Sequence, residues 1–160
     1  MKVAVAKYPI GAPRDFAAFA EKQAAVLGQA AAAGARLAVL PEYLSLELAA
    51  TFPAPVQGDL RGSFAAIQRH RADWLALFGR LARELDMHVV AGSFLLDAGE
   101  GRYRNRSDWF APDGGHGWQD KLQLTGFEKR LRCIDGGDAL KVFAADGVRA
   151  GIAICYDSEF

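Results

Sequence analysis

Three side chains that could act together in catalysis follow segments predicted to be β-strands. Glu42 comes two residues after RLAVL, Lys121 directly after GWQD, and Cys155 directly after GIAI. A thiol with its ordinary pKa of about 8.5 is a weak nucleophile at neutral pH unless a base or a positive charge lies beside it. A glutamate can accept the thiol proton, and a lysine can stabilise negative charge on a carbonyl oxygen or nitrile nitrogen. The three residue types therefore predict a cysteine hydrolase that needs no histidine.

Each of the three residues also has an ordinary structural interpretation. A single cysteine after an apolar strand is typical of an unreactive core residue. Glu42 could cap a helix that begins near Tyr43, and Lys121 could be a solvated strand end. Only the combination of Glu42, Lys121 and Cys155 indicates chemistry.

Alternation along the last predicted strand favours a functional thiol. Ile152 and Ile154 point to one face of this strand, whereas Gly151, Ala153 and Cys155 point to the other. The thiol therefore projects on the side where the neighbouring side chains are small.

The three histidines offer a competing interpretation as a thiol protease or a metal site. His70 lies in the polar run QRHR, His88 begins a strand, and His116 lies in a glycine-rich turn. None has the context of a partner for a nucleophilic cysteine, and no pair has metal-ligand spacing. The sequence therefore predicts neither a metal nor another cofactor.

The elements that must position these residues begin with a strand–helix–strand unit. A strand over 2–8 precedes a helix over 14–33, which Gly34 ends, and a second strand follows over 36–40. A crossover of this kind predicts parallel neighbouring strands. In an open α/β sheet, ligands bind at the carboxyl ends of such strands, and Glu42 follows one of them.

The rest of the chain predicts a mixed sheet. Residues 44–62 contain two prolines and two glycines and predict a loop, and a helix with Trp74, Leu77, Phe78, Leu81 and Leu85 on one face leads into a strand over 88–94. Two successive hairpins are predicted over 93–121, and another turns at Asp146-Gly147. About seven strands against two helices leave one sheet face poorly covered.

Composition limits the classes of partner. The 160 residues carry 19 Lys plus Arg and 19 Asp plus Glu, and 51% of them are hydrophobic. A balanced charge predicts no nucleic-acid partner and no attraction to an anionic membrane, and no apolar run is long enough to span a bilayer. We expect a cytoplasmic protein with a small-molecule ligand, and Cys133 and Cys155 as free thiols rather than a disulfide.

Three motifs in fixed order resemble those of the nitrilase superfamily of carbon–nitrogen hydrolases. They are VLPEY at 39–43, QDKLQL at 119–124 and GIAICYDSEF at 151–160. The resemblance extends to KVAVAKYP, RNRSDWFAPDG and LKVFAADGVRAGIAICYD, and so covers nearly the whole chain.

The resemblance implies a role for each site residue. Cys155 would attack and form an acyl-thioester, while Glu42 would move the protons and activate water. Lys121 and the backbone N–H of Tyr156 would hold the oxyanion. Some members have a fourth essential carboxylate after the lysine, which would be Glu128. The alternative for Glu128 is a surface glutamate.

The resemblance also implies a larger fold. Complete members form a four-layer αββα sandwich of mixed sheets, roughly twice this mass, whose subunits pair through helices. Residues 1–160 would then be the N-terminal half of one hydrolase domain, and the full protein a homodimer or larger homo-oligomer. We expect the 160-residue chain alone to be inactive and prone to aggregate.

The implied substrate is a small carboxamide, with an amidase-like reaction. Nitrile hydrolysis, N-carbamoyl hydrolysis and transfer of the acyl group to an amine would use the same three residues. A non-catalytic scaffold is the alternative from another functional class.

Overall fold

The computed structural model describes residues 1–160, with a mixed sheet of seven strands at the centre. The strands of this sheet are β1 (Val3–Val5), β2 (Leu37–Val39), β3 (His88–Val90), β4 (Phe94–Gly99), β5 (Arg102–Phe110), β6 (His116–Asp120) and β7 (Ile134–Asp135). Strands β1, β2 and β3 are parallel neighbours, and β5 pairs antiparallel with β3, β4 and β6 and parallel with β7. The predicted α/β class with a mixed sheet and the hairpins over 93–121 are confirmed.

Helices cover one face of this sheet. The long helices are α1 (Phe16–Ala32) and α4 (Arg71–Glu84), and their apolar faces bury Phe19, Trp74 and Phe78. These residues belong to a core of 23 buried apolar residues, which also contains side chains from alternate positions of the strands. None of the helices is both long enough and apolar enough to cross a membrane.

The start and end of α1 follow from local sequence. The Asp15 carboxylate accepts a hydrogen bond from the Ala18 backbone N–H at 2.8 Å, which caps the first turn. Gly34 has a φ of +80°, a conformation that glycine adopts at little cost just beyond a helix end. The helix predicted over 14–33 is therefore confirmed.

The loop predicted over 44–62 is wrong, because the segment is largely helical. It forms a 3-10 helix at Leu44–Thr51 and two helices, α2 (Ala54–Gln57) and α3, which spans Leu60–Ile67. Pro53 precedes α2, and the Asp59 carboxylate caps α3 by accepting from the Arg61 N–H at 3.1 Å. The residues that suggested a loop are thus the boundaries of short helices. The prediction of only two helices is wrong, because α2, α3 and a further helix, α5 (Gly126–Leu131), also form.

A small second layer lies on the other face of the sheet. Strands β8 (Val142–Ala145) and β9 (Val148–Gly151) form an antiparallel hairpin, and Asp146 and Gly147 both have positive φ at its turn. Six buried residues form the core on this side: Leu37, Val90, Trp109, Ala145, Ile152 and Ile154. The hairpin predicted at Asp146-Gly147 is confirmed, and the face opposite the helices has much the smaller core.

Candidate active site

The predicted reactive residues lie in the segments that follow three strands. Glu42 lies three residues beyond the end of β2, and Lys121 directly follows β6. Cys155 lies four residues beyond β9 and begins a 3-10 turn, Cys155–Glu159, called here the Cys155 turn. The expectation that the last strand runs to Cys155 is wrong, because β9 ends at Gly151, which pairs with Val142 at the start of β8, and residues 152–154 are not part of a strand.

Lys121 is buried between two carboxylates. Its side chain is 1% exposed, and Nζ lies 2.7 Å from Glu42 Oε1 and 2.9 Å from Glu128 Oε2. Burial alone would lower the pKa of Lys121, but hydrogen bonds from its ammonium to Glu42 and Glu128, and their negative charges, outweigh burial and raise it. Lys121 is therefore a permanent cation, and the alternative of a solvated strand end is excluded.

Glu128 belongs to this cluster and not to the surface. It is buried in the first turn of α5, where Thr125 and Glu128 form a capping box. Its carboxylate accepts hydrogen bonds from Tyr43 Oη, Lys121 Nζ, and the N–H and Oγ1 of Thr125. Burial would raise the pKa of Glu128, yet these hydrogen bonds outweigh it and lower the pKa to about 2. Glu128 is therefore ionised at any physiological pH.

Glu42 has a different environment. Its side chain is 19% exposed, and its Oε1 accepts hydrogen bonds from Lys121 Nζ at 2.7 Å and Asn105 Nδ2 at 2.9 Å. The 3-10 helix that follows begins after Tyr43 with no side-chain cap, so Glu42 does not cap it. Glu42 is held by two donors and remains reachable from solvent.

Asn105 links the two carboxylates, although the sequence did not single it out. The residue is fully buried in β5, and its Nδ2 donates to Glu42 Oε1 and, at 3.3 Å, to Glu128 Oε1. Its Oδ1 has no hydrogen-bond partner. An asparagine at an inward position of an alternating strand was the signal available, since buried polar side chains are normally paired. Tyr43, whose hydroxyl donates to Glu128, is another residue of this cluster that the sequence did not single out.

Cys155 is exposed and held in a left-handed backbone conformation, with a φ of +50°. Partial desolvation, the charge of Glu42 and a hydrogen bond with Glu42 raise the pKa of the thiol, against the charge of Lys121 and a hydrogen bond with the Tyr156 backbone. The thiol is therefore protonated at neutral pH and lies within reach of a carboxylate. Ile152 and Ile154 are buried while Gly151, Ala153 and Cys155 are exposed, as strand alternation predicted.

Glu42 lies in the wall of two cavities. A small one of about 80 Å³ has both Glu42 and Cys155 in its wall, together with Gly92, Ser93 and Ser107. A groove of about 450 Å³ on another side is lined mainly by apolar residues, among them Ile10, Leu46 and Ala49. A small molecule in this groove would therefore lie beside the Glu42 carboxylate.

The histidines and the second cysteine are engaged elsewhere. His70 lies 3.0 Å from Thr51 Oγ1, His88 packs against Trp109, and His116 lies 3.1 Å from the buried Asp108. Cys133 is buried, and both cysteines are free thiols, as the sequence predicted. No group of three or more His, Cys, Asp or Glu residues is arranged to hold a metal ion. The residues assembled around Cys155 are Glu42 and Lys121, not a histidine.

Comparisons with known proteins agree with this architecture. YhcX of Bacillus subtilis strain 168, described as a probable hydrolase, is 29% identical over 163 residues, which are 100% of this chain and 30% of that protein. A carbon-nitrogen hydrolase structure from Helicobacter pylori G27 matches with a TM-score of 0.77 at 19% identity, over 100% of this chain and 53% of its own.

A second solved structure is an amidase variant from Nesterenkonia sp. AN1 in which acrylamide has added to the active-site cysteine. It matches with a TM-score of 0.64 at 18% identity, over 100% of this chain and 59% of its own. The chain thus spans about half the length of these structures and less than a third of YhcX. At these identities the two structures establish the shared fold.

The family model described as carbon-nitrogen hydrolase matches residues 2–160, which is nearly the whole chain. The mixed sheet and the likeness to about half of each solved hydrolase agree with the resemblance seen in the three motifs. The chain belongs to the carbon-nitrogen hydrolase family.

Proposed function

We propose that the intact protein hydrolyses the carbon–nitrogen bond of a small carboxamide, with Cys155 as nucleophile, Glu42 as general base and acid, and Lys121 as oxyanion donor. The observation that carries this proposal is the contact of Glu42 with both partners. Its carboxylate lies 2.7 Å from Lys121 Nζ, and Glu42 lines the same small cavity as Cys155. The family is one of hydrolases, and one of its solved relatives is an amidase.

The reaction proceeds in two stages. The sulfur of Cys155 bonds to the carbonyl carbon as its proton passes to Glu42, and the oxyanion is held by Lys121 and the Tyr156 N–H. The C–N bond then breaks, and Glu42 returns the proton to the departing amine or ammonia. In the second stage Glu42 takes a proton from water, which attacks the thioester. The C–S bond breaks, the acid leaves, and Glu42 returns the proton to the sulfur.

Glu128 is proposed to hold Lys121 without exchanging protons. With five donors around its carboxylate and a pKa of about 2, it is a fixed negative charge beside the ammonium. Glu42 is then the carboxylate proposed to carry the proton between the thiol, the leaving amine and water. We further propose that residues 1–160 form part of one hydrolase domain, in a cytoplasmic protein that is a homodimer or a larger homo-oligomer.

The apolar groove beside Glu42 supports a neutral substrate. The carboxylate of Glu47 is the only charged group on its wall besides Glu42, and it accepts hydrogen bonds from Tyr8, the Gly11 N–H and Lys22. This side of the site offers no free cation for a substrate carboxylate. An uncharged aliphatic amide therefore fits better than an acidic one.

The test is intact-mass spectrometry of the full-length protein mixed with small amides, nitriles and N-carbamoyl compounds, with ammonia release measured in parallel. An acyl adduct on Cys155 that is absent from Cys155→Ala, together with ammonia from amides, is the expected result. Cys133→Ala is the matched control, because it removes the other, buried thiol and should keep both signals. Preference for nitriles or carbamoyl compounds would reassign the substrate class. The absence of any adduct at every pH would favour a scaffold role.

A further inference from the structure

Asp157 connects the Cys155 turn to the chain just after Lys121. Its Oδ1 accepts hydrogen bonds from two consecutive backbone N–H groups, those of Leu122 at 3.0 Å and Gln123 at 2.6 Å. Its Oδ2 accepts from the N–H of Ile154 at 3.0 Å, the residue before the thiol. One half-buried carboxylate thus bonds to both segments that carry the reacting groups.

The Cys155 turn has little else to fix its position relative to Lys121. Within the turn, the Asp157 N–H donates to the Ile154 carbonyl at 3.2 Å, and Ser158 Oγ donates to the Cys155 carbonyl at 2.8 Å. Both of these bonds are local, and Cys155 itself is in a left-handed conformation that costs a non-glycine residue free energy. Ile152 and Ile154 bury their side chains in the small second core. This burial fixes the residues just before the turn but not the residues after Cys155.

We propose that Asp157 is a positioning residue that sets the distance between the Cys155 sulfur and the Lys121 ammonium. This inference rests on the proposed function, in which these two groups act on one carbonyl. Hydrogen bonds from backbone N–H groups to a carboxylate are charge-assisted and shorter than neutral ones. A displacement of about 1 Å in a reacting group can cost about a hundredfold in rate. Asp157 acts only through the backbone and touches no substrate.

A carboxylate is required because three N–H groups converge on it and both oxygens are used. Asparagine has one oxygen acceptor and an NH₂ group that only donates. In Asp157→Asn, either the Ile154 N–H or the pair from Leu122 and Gln123 would face an amide NH₂. The substitution keeps the shape of the side chain and removes part of the connection. Asp157→Glu retains both oxygens on a chain one methylene longer.

The experiment compares Asp157→Asn and Asp157→Glu with the wild type in the full-length protein. A matched control is Asp15→Asn, because Asp15 also accepts a backbone N–H but lies at the start of α1. We expect kcat of Asp157→Asn to fall about tenfold to a hundredfold with KM nearly unchanged. Asp157→Glu should recover part of this loss, and kcat of Asp15→Asn should stay within twofold of the wild type.

A second measurement separates positioning from mere folding. The pH profile of Cys155 alkylation by iodoacetamide reports the charges that face the thiol, those of Glu42 and Lys121. In Asp157→Asn the profile should move toward that of an ordinary cysteine, whereas Asp15→Asn should leave it unchanged. Unaltered kcat and alkylation in folded Asp157→Asn would overturn the proposal. So would a variant whose melting temperature falls while kcat and the alkylation profile stay unchanged. If no substrate is hydrolysed, the alkylation profiles still test Asp157, so the two proposals fail separately.

Discussion

Glu42 and Glu128 share one lysine but have different surroundings. Glu128 is 1% exposed and accepts from five donors, whereas Glu42 is 19% exposed and accepts from Lys121 and Asn105. A carboxylate with many donors resists protonation, and one with few can exchange a proton during turnover. The two carboxylates therefore have different proposed roles, Glu128 as a fixed charge and Glu42 as the acid and base.

The state of the thiol follows from its burial and from the charge of Glu42. Partial desolvation and then the negative charge of Glu42 raise the pKa of Cys155 above that of an ordinary thiol, against the charge of Lys121. A thiolate is therefore not the resting species at neutral pH, in contrast to cysteines beside a histidinium. In the proposed reaction, proton transfer to Glu42 therefore accompanies attack on the substrate.

Replacing Glu42 should change thiol acidity and activity in opposite directions. The charge of Glu42 raises the pKa of Cys155, so Glu42→Gln lowers that pKa and makes the thiol more ionised at neutral pH. Hydrolysis should nevertheless fall about 10²- to 10⁴-fold, because the general base is lost. The pH profile of iodoacetamide alkylation gives the first quantity, and ammonia release gives the second.

The control for this substitution is Glu84→Gln, which removes an exposed glutamate paired with Arg80 on α4. It should leave both the alkylation profile and ammonia release unchanged. A Glu42→Gln protein that keeps its thiol pKa, or that hydrolyses amides at the wild-type rate, would contradict the assigned role of Glu42.

The sequence could predict the site residues to which the family resemblance assigns a role. These are Glu42, Lys121, Glu128 and Cys155, and the structure brings Lys121 between the two glutamates. Asn105, Tyr43 and Asp157 also lie in segments that resemble the family, but their roles could not be predicted because each depends on a contact with a residue distant in the sequence. Asn105 contacts Glu42 across 63 positions of the chain, and no local pattern encodes such a contact.

At the scale of elements, a bend between β3 and β4 fixes the backbone before Glu42. Gly92 has a φ of +66°, and a Cβ at this position would lie 2.3 Å from the Pro41 carbonyl oxygen and 3.0 Å from Leu44 Cβ. Next to it, Ser93 Oγ accepts from the Tyr43 N–H at 2.7 Å. Because Gly92 has no Cβ, Pro41 can lie directly against this bend, and this contact fixes the position of Glu42.

Gly92→Ala should therefore reduce both stability and activity. The positive φ and the overlap with Pro41 together should lower the free energy of unfolding by about 1–3 kcal/mol. The shift of Pro41 should also move Glu42 and reduce ammonia release. Urea unfolding of the full-length protein and its kcat at low temperature measure the two effects.

A matched control separates the backbone strain of a positive φ from the overlap of a new Cβ with neighbouring atoms. Gly101 has a φ of +70°, and a Cβ there would meet no atom within 4 Å. Gly101→Ala carries a comparable conformational cost without displacing a neighbour, so it should lose some stability and keep kcat. Equal kcat in both variants would show that Gly92 does not position Glu42.

The incorrect prediction over 44–62 has a physical explanation. Proline and glycine interrupt long helices, but they also begin and end short ones. Here Pro53 and Asp59 precede helices of four and eight residues, too short for an apolar period to be visible in the sequence. Burial of Leu44, Leu48 and Phe64 stabilises these turns, and that contribution appears only after tertiary packing.

For the whole molecule, the two faces of the sheet are unequal. The helical face has a core of 23 buried residues, and the face under the β8–β9 hairpin has six. Large apolar side chains are exposed near this hairpin and at edge strand β1, including Leu140 at 64% and Val5 at 78%. An apolar groove of about 450 Å³ lies between β1 and α1. Such surfaces and an open strand edge favour association.

The 160-residue polypeptide produced alone should therefore self-associate, bind a dye for apolar surfaces and hydrolyse no amide. Charged residues on the exposed strands should oppose association, so Val5→Lys combined with Val142→Lys should shift the population toward monomer. Glu100→Lys, at an exposed turn, is the control and should have no such effect. Size-exclusion chromatography with light scattering, run beside dye fluorescence, measures both properties. A monomeric wild-type 160-residue chain that binds no dye and unfolds in two states would contradict this prediction, because its apolar surface would then be tolerated in water.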